Sequence, residues 1–204
     1  MKDLSATMTN PLKELRAIRF AQKIVRIYIN RLQTQGLTTT LIWVYGRGVP
    51  LLTGIPLLRF SQITPEIYVG AQFNQAGKRK LERAGITGDI NLRIEFDDAA
   101  HNLDLAHYCY LPTIDDHAPT LEHLEEGVSF IEQIITDGGK VYIHCAGGIG
   151  RAPTMASAYF ISQGMMLEEA INLIKEARPF INIMPPQLTQ LKLFEKNLTK
   201  TQAD

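Results

Sequence analysis

From Ile63 onward the chain alternates between two hydrophobic rhythms. Short apolar runs with strand character are Ile67-Tyr68-Val69-Gly70, Asp89-Ile90-Asn91-Leu92-Arg93, His107 to Pro112 and Val141-Tyr142-Ile143-His144. Between and after them the spacing turns helical, over Asn74–Ala84, Thr120–Thr136, Ala152–Gln163, Leu167–Ala177 and Pro186–Asn197. Gly85, Gly138-Gly139 and Gly164 stand where three of these helices should stop. Strands separated by helices predict an α/β fold, a central mostly parallel sheet flanked by helices on both faces. No internal repeat or low-complexity segment interrupts the pattern.

The first third of the chain reads differently. Leu12, Leu15, Ile18, Ala21, Val25, Tyr28 and Leu32 recur at spacings of three and four, with Lys13, Arg16, Arg19, Lys23 and Arg26 on other faces. This predicts an amphipathic N-terminal helical extension, opened by Asn10-Pro11 and stopped near Gly36. A helix docked on the domain is the expected role, and a membrane-surface helix over residues 12–32 the alternative. Leu37 to Ser61 is an apolar loop segment in which Leu41 to Tyr45 has strand character. The expected organisation is a segment of residues 1–60 followed by a domain of residues 61–204. The most apolar stretch, Leu41 to Leu58, is broken by Gly46, Arg47, Gly48, Pro50, Gly54 and Pro56, so it is not expected to cross a membrane.

Charge sharpens this division. The net charge of the 204 residues is zero, yet residues 1–60 carry nine Lys and Arg against two Asp and Glu, and residues 61–204 carry twelve against nineteen. An acidic domain is a poor partner for nucleic acid, whereas the basic segment suits an anionic surface. No signal peptide is read at the N-terminus. Two cysteines are too few for a disulfide framework, so a reducing, cytoplasmic setting is expected, with peripheral membrane contact as an option.

The candidate chemistry lies between Lys140 and Thr154. A buried strand runs into His144-Cys145, then Ala146-Gly147-Gly148-Ile149-Gly150, then Arg151 and a helix. A strand–loop–helix junction turns successive backbone N–H groups into one concavity at a helix N-terminus, which is a site for an anion. Glycines let the backbone approach a ligand closely. Arg151 offers a planar fork matched to two phosphate oxygens. Cys145 sits in the middle of this positive nest, which favours its thiolate. The arrangement predicts attack on a phosphate ester by Cys145, with Ala146 to Arg151 holding the phosphate and no metal or cofactor required. The leaving oxygen needs a proton, and Ile114-Asp115-Asp116-His117, after a strand, supplies two candidate acids.

These residues resemble the dual-specificity branch of the protein tyrosine phosphatase superfamily, whose signature is His-Cys, five residues, then Arg. The resemblance covers roughly residues 63–194. It implies a protein tyrosine phosphatase-like fold, Cys145 as nucleophile, Arg151 as the phosphate-binding arginine and Asp115 as general acid, with Asp116 in reserve. It also implies a supporting role for His144 beside the thiolate. Arg178-Pro179-Phe180-Ile181 is similar to the family's arginine-containing stretch before the last helix. Val141 to Cys145, Thr154-Met155-Ala156, Pro119-Thr120-Leu121 and Gly127-Val128 resemble the phosphatidylglycerophosphate phosphatase subgroup, and Gly150 to Pro153 the plant glucan phosphatases. The implied substrates are phosphotyrosine and phosphoserine/threonine proteins, or else a phospholipid head group. One departure stands out: position 152 is Ala where most members carry a hydroxyl thought to help expel the thiolate, which leaves a non-catalytic phosphate-binding module as a third reading.

The remaining residues have plainer expectations. His101, His107, His117 and His123 match no zinc spacing. Cys109 is expected to pack in the core, with a reversible disulfide to an oxidised Cys145 as the alternative. Asp97-Asp98, in a loop after a strand, is expected to be a solvated pair, with a place at the border of the pocket as the alternative. His144 is expected to act through hydrogen bonds to the loop backbone. With Ala146 and Ile149 where lysines would stand, the loop does not favour highly charged inositol phosphates.

Overall fold

The computed structural model describes residues 60–201, side chains to 199, together with residues 25, 29, 32, 33, 36, 37, 40 and 41. The chain falls into two units, Met1–Trp43 and Val44–Asp204. In the first unit Val25, Ile29 and Leu32 are helical and about half exposed. Gly36, Leu37, Thr40 and Leu41 are helical as well, against the stop expected near Gly36 and the strand expected from Leu41; the rest of the expected Pro11–Leu32 helix and of the Leu41 to Tyr45 strand lies outside the described residues.

The second unit is built on five strands: β1 (Phe60–Gln62), β2 (Ile67–Ala71), β3 (Gly88–Arg93), β4 (His107–Thr113) and β5 (Val141–Cys145). Their order across the sheet is β1-β2-β5-β3-β4, with β1 antiparallel and the other pairs parallel. Five helices complete the unit among the described residues: α1 (Gln75–Arg83), α2 (Leu121–Thr136), α3 (Arg151–Ser162), α4 (Leu167–Ala177) and α5 (Pro185–Thr201). Each predicted strand and helix of the domain is present, and the mixed α/β architecture with its sheet between helices is as expected. Two short elements escape sequence reading, β1 and a 3₁₀ turn over Ala99–His101. Three residues, two of them polar, are too few to show a period.

Local chemistry sets the boundaries. The Asn74 carboxamide accepts the Gly77 N–H at 3.0 Å and opens α1, and the Thr120 hydroxyl accepts the His123 N–H at 3.1 Å and opens α2. Gly85, Gly138 and Gly164 take φ of 76°, 76° and 92° just past α1, α2 and α3, the left-handed region that glycine enters without penalty.

The chain moves one way across the sheet from β2 through α1 to β3, and the other way from β4 through α2 to β5. Right-handed crossovers in opposite directions put these helices on opposite faces. The two cores agree. Tyr68, Phe73, Leu81, Ile86 and Tyr142 pack together on the α1 face. Leu124, Ile131, Ile143, Met155, Ile174 and Phe194 pack on the other, under α2 to α5. Central β5 is buried along its whole length, and β2, β5, β3 and β4 all end at one edge of the sheet. Loops after such strand ends, where the connections diverge, are where open α/β sheets bind ligands.

Ile143 is fully buried in the central strand. Ile143→Ala should cost about 2–5 kcal/mol of unfolding free energy, which urea unfolding followed by circular dichroism measures.

Candidate active site

The strand β5 ends on Cys145, and residues 146–150 loop back onto β2 before α3 starts at Arg151. Gly148 has φ of 61°, and a Cβ there would lie 2.3 Å from the Gly70 carbonyl oxygen. No other residue fits that approach. The loop is held from behind by Arg178, which is almost wholly buried. Its Nε donates to the Gly148 carbonyl at 2.6 Å and its Nη2 to the Gly147 carbonyl at 2.9 Å. With those carbonyls occupied, the loop amides turn inward: the Gly148 N–H donates to Cys145 Sγ at 3.3 Å. Burial pushes the Cys145 thiol up, but the Arg151 charge and the N–H groups of Ala152, Ile149 and Gly148 outweigh it and hold the thiol below its ordinary range.

Arg151 is 1% exposed. Its Nη1 donates to the carbonyls of Leu92 at 3.1 Å and Thr113 at 2.8 Å, and to Glu95 Oε2 at 2.9 Å. Its Nη2 meets Glu95 Oε1 at 2.9 Å and Asp115 Oδ1 at 3.0 Å. Its Nε–H is buried and has no partner among the described residues, a donor left for an incoming oxygen. Asp115, more than half exposed, occupies the turn after β4. Asp116 follows with φ of 64°, a left-handed position that Asp tolerates. Of the two candidate acids, the structure brings Asp115 to Arg151.

Glu95 was not visible as a site residue in the sequence. Partial burial raises its carboxyl, but hydrogen bonds from Arg151, its own backbone and Arg93 bring it down to about 2. The signal that finds it is register. Arg93 pairs with Thr113 across β3 and β4, so the dipeptides Ile94-Glu95 and Ile114-Asp115 leave neighbouring strands side by side. Both carboxylates turn to Arg151, and both isoleucines are exposed.

Two sequence expectations are revised. His144 packs against Tyr142 and Phe73 on the α1 face of the sheet, and its ring makes no hydrogen bond to the loop backbone. Its Nε2 instead lies 2.8 Å from Asp98 and 3.2 Å from Asp89, all three residues fully buried. Asp97-Asp98 is therefore not a solvated pair: Asp98 is inside, and Asp97 accepts from the Tyr108 hydroxyl at 2.8 Å. Thr154 does not stand in for the hydroxyl missing at Ala152, because its Oγ1 donates to the Gly150 carbonyl at 2.9 Å. Cys109 is a core residue, its thiol pushed up to about 12 by burial, Glu126 and Asp89. It lies in register with Ile90, which is in register with Ile143. Two strand spacings of about 4.8 Å put it beyond disulfide reach of Cys145.

A nest with a thiol and an arginine at the two ends of one loop and a carboxylic acid on a second is a specific constellation, and residues 67–197 match the model for the dual specificity phosphatase catalytic domain. The chain belongs to that family. Among its relatives, dual specificity protein phosphatase 1-B of Xenopus laevis is 31% identical over 139 residues, and dual specificity protein phosphatase 1 of Homo sapiens 30% identical over 141. Each alignment covers 67% of this chain and 37% of the relative, so the chain spans little more than a third of the length of these proteins. Among solved structures, PTPMT1 in complex with PI(5)P superposes with a TM-score of 0.65 at 29% identity, covering 70% of this chain and 98% of that one. These neighbours put the domain on the atypical branch of the protein tyrosine phosphatase superfamily. A crystal structure of human DUSP28, at 23% identity and a TM-score of 0.62, shares the fold over 71% of this chain and 99% of that one. No described helix is long and apolar enough to cross a membrane.

At neutral pH iodoacetamide should alkylate Cys145 and spare Cys109. The alkylation rate at Cys145 should reach half its plateau below about pH 8.5, the range of a free thiol, and Arg151→Ala should move that midpoint upward. Peptide mapping by mass spectrometry across a pH series checks both.

Proposed function

We propose that this domain hydrolyses phosphate monoesters through a cysteinyl-phosphate intermediate, acting on phosphotyrosine and phosphoserine/threonine proteins. The observation that carries the reading is the lowered Cys145 thiol inside a nest of loop amides beside the buried Arg151 Nε–H, a side-chain donor without a partner among the described residues. The Cys145 thiolate attacks phosphorus and forms the S–P bond as the P–O bond to the leaving group breaks. Asp115 gives its proton to the departing oxygen. The loop amides and Arg151 hold the equatorial oxygens throughout. Water, losing a proton to Asp115, then displaces the thiolate and releases inorganic phosphate. Glu95 keeps the guanidinium in plane for this work. With Ala152 carrying no hydroxyl and the Thr154 hydroxyl bonded elsewhere, thiolate departure in the second step lacks a hydroxyl donor beside the loop amides, which makes it the slower step.

A second reading has one specific support: the likeness to PTPMT1 in complex with PI(5)P. Combined with the basic residues of 1–60, it makes a phospholipid head group at a membrane surface the alternative substrate. A soluble cytoplasmic location goes with the first reading and a peripheral membrane one with the second.

Purified protein should hydrolyse an aryl phosphate in a reaction blocked by vanadate and indifferent to EDTA, and Cys145→Ser should abolish it. Undiminished turnover in Cys145→Ser would sink the mechanism. Asp115→Asn should lower kcat by about 10²–10⁴ on substrates with poor leaving groups, while Asp116→Asn should do little. Stopped-flow traces of the wild type should show a burst of aryl alcohol before the steady state. Parallel assays on phosphopeptides and on phospholipid vesicles decide between the two substrate classes, the second requiring vesicle co-sedimentation that is lost on deleting residues 1–35.

A further inference from the structure

The proposed chemistry does not use the most expensive group in the domain. Asp89, Asp98 and His144 are each fully buried, and two carboxylates converge on one imidazole nitrogen at 3.2 and 2.8 Å. Asp89 has no partner among the described residues besides His144. Buried charges persist only where they are paired, and two carboxylates on one imidazole favour a proton on His144, while burial also raises the Asp89 carboxyl. Tyr142 stacks on the imidazole from its own strand at 5.5 Å and Phe73 packs edge-on at 5.2 Å. Gln72 donates to the other Asp98 oxygen at 2.7 Å, and Asp104 adds a further negative charge near Asp89. Burial disfavours the imidazolium, but Asp89 and Asp98 outweigh it and raise His144 to about 9.

What the cluster holds in place is the connection after β3. Asp98 lies three residues beyond Glu95, and the same connection is gripped at two further points. The Asn91 side chain donates to the Phe96 carbonyl at 2.8 Å, and the Asp98 N–H donates to the Tyr108 hydroxyl at 3.1 Å. The other end of the connection delivers Glu95 to both terminal nitrogens of Arg151. His144 and Arg151 flank the phosphate loop, so one short segment ties the strand before the loop to the helix after it. We propose that Asp98 is a positioning residue of the active site: its ion pair with His144 fixes residues 94–98, and through them Glu95, on the Arg151 guanidinium. The inference rests on the phosphatase reading.

The test is a double-mutant cycle on aryl phosphate hydrolysis. Asp98→Asn should lower kcat/KM roughly tenfold, within the range for coupled neighbours, and should lose nearly all that effect when introduced into Glu95→Gln. Losses that multiply in the double variant would overturn the proposal, as would wild-type activity in Asp98→Asn. The imidazole signal of His144 in NMR should titrate near 9 in the wild type and clearly lower in Asp98→Asn, a shift that a merely structural defect does not produce. A stoichiometric divalent metal in the purified protein, lost in Asp98→Asn, would also overturn it. Because a buried Asn with an unpaired amide also costs stability, Tyr108→Phe supplies a second variant that loosens the same segment from a half-buried position. It too should be silent in Glu95→Gln, and additivity there counts against the proposal. If the wild type turns over no ester, the phosphatase reading fails by itself. The coupling is then read from protection of Cys145 against iodoacetamide by inorganic phosphate, which should weaken in Asp98→Asn and not further in the double variant.

Discussion

The burial of one guanidinium organises this domain. Arg151 sits at the first turn of α3 with almost no exposed surface, and a charge in that position demands acceptors on every side. Two come from the ends of β3 and β4 as backbone carbonyls, and two from the carboxylates of Glu95 and Asp115 that follow those strands. The requirement therefore fixes where three loops meet. Arg178 does the equivalent work on the outside of the phosphate loop, taking up its carbonyls so that its amides face inward. One arginine draws the neighbouring strands together and the other sets the polarity of the nest, and the lowered Cys145 thiol follows from both.

The local half of this arrangement was legible in the sequence. A buried run ending in His144-Cys145, glycines, Arg151 and a helix start is a contiguous pattern, and the strand and helix periods around it are strong. Asp115 could be proposed because the chemistry requires an acid and one lay after a strand. Glu95 and Asp98 could not, since their importance depends on register between β3 and β4 and on which face of the sheet His144 occupies. A charged residue inside a strand period, Asp89, was the one visible sign, and it reads equally as a tolerated edge position until β3 is found in the interior of the sheet. The same gap explains the misreading of Asp97-Asp98, where the polar spacing suggested solvent and the fold supplied a buried imidazole.

Charges beside the site are paired: Glu95 meets both Arg93 and Arg151, and Asp115 meets Arg151. The loop side chains Ala146 and Ile149 bring no charge of their own. Ile94 and Ile114 stand exposed beside the two carboxylates. Apolar side chains exposed in this way offer contact surface beside the nest.

The three-residue strand β1 has a consequence for where this domain begins. Phe60 pairs with Gly70, whose carbonyl is the surface against which Gly148 packs, and the Ser61 hydroxyl lies 3.4 Å from Nη1 of Arg178. Residues 60–62 are thus part of the wall behind the phosphate nest, although the family match starts only at residue 67. A fragment cut at that match would keep Cys145, its loop and Arg151 and lose part of what keeps them in shape.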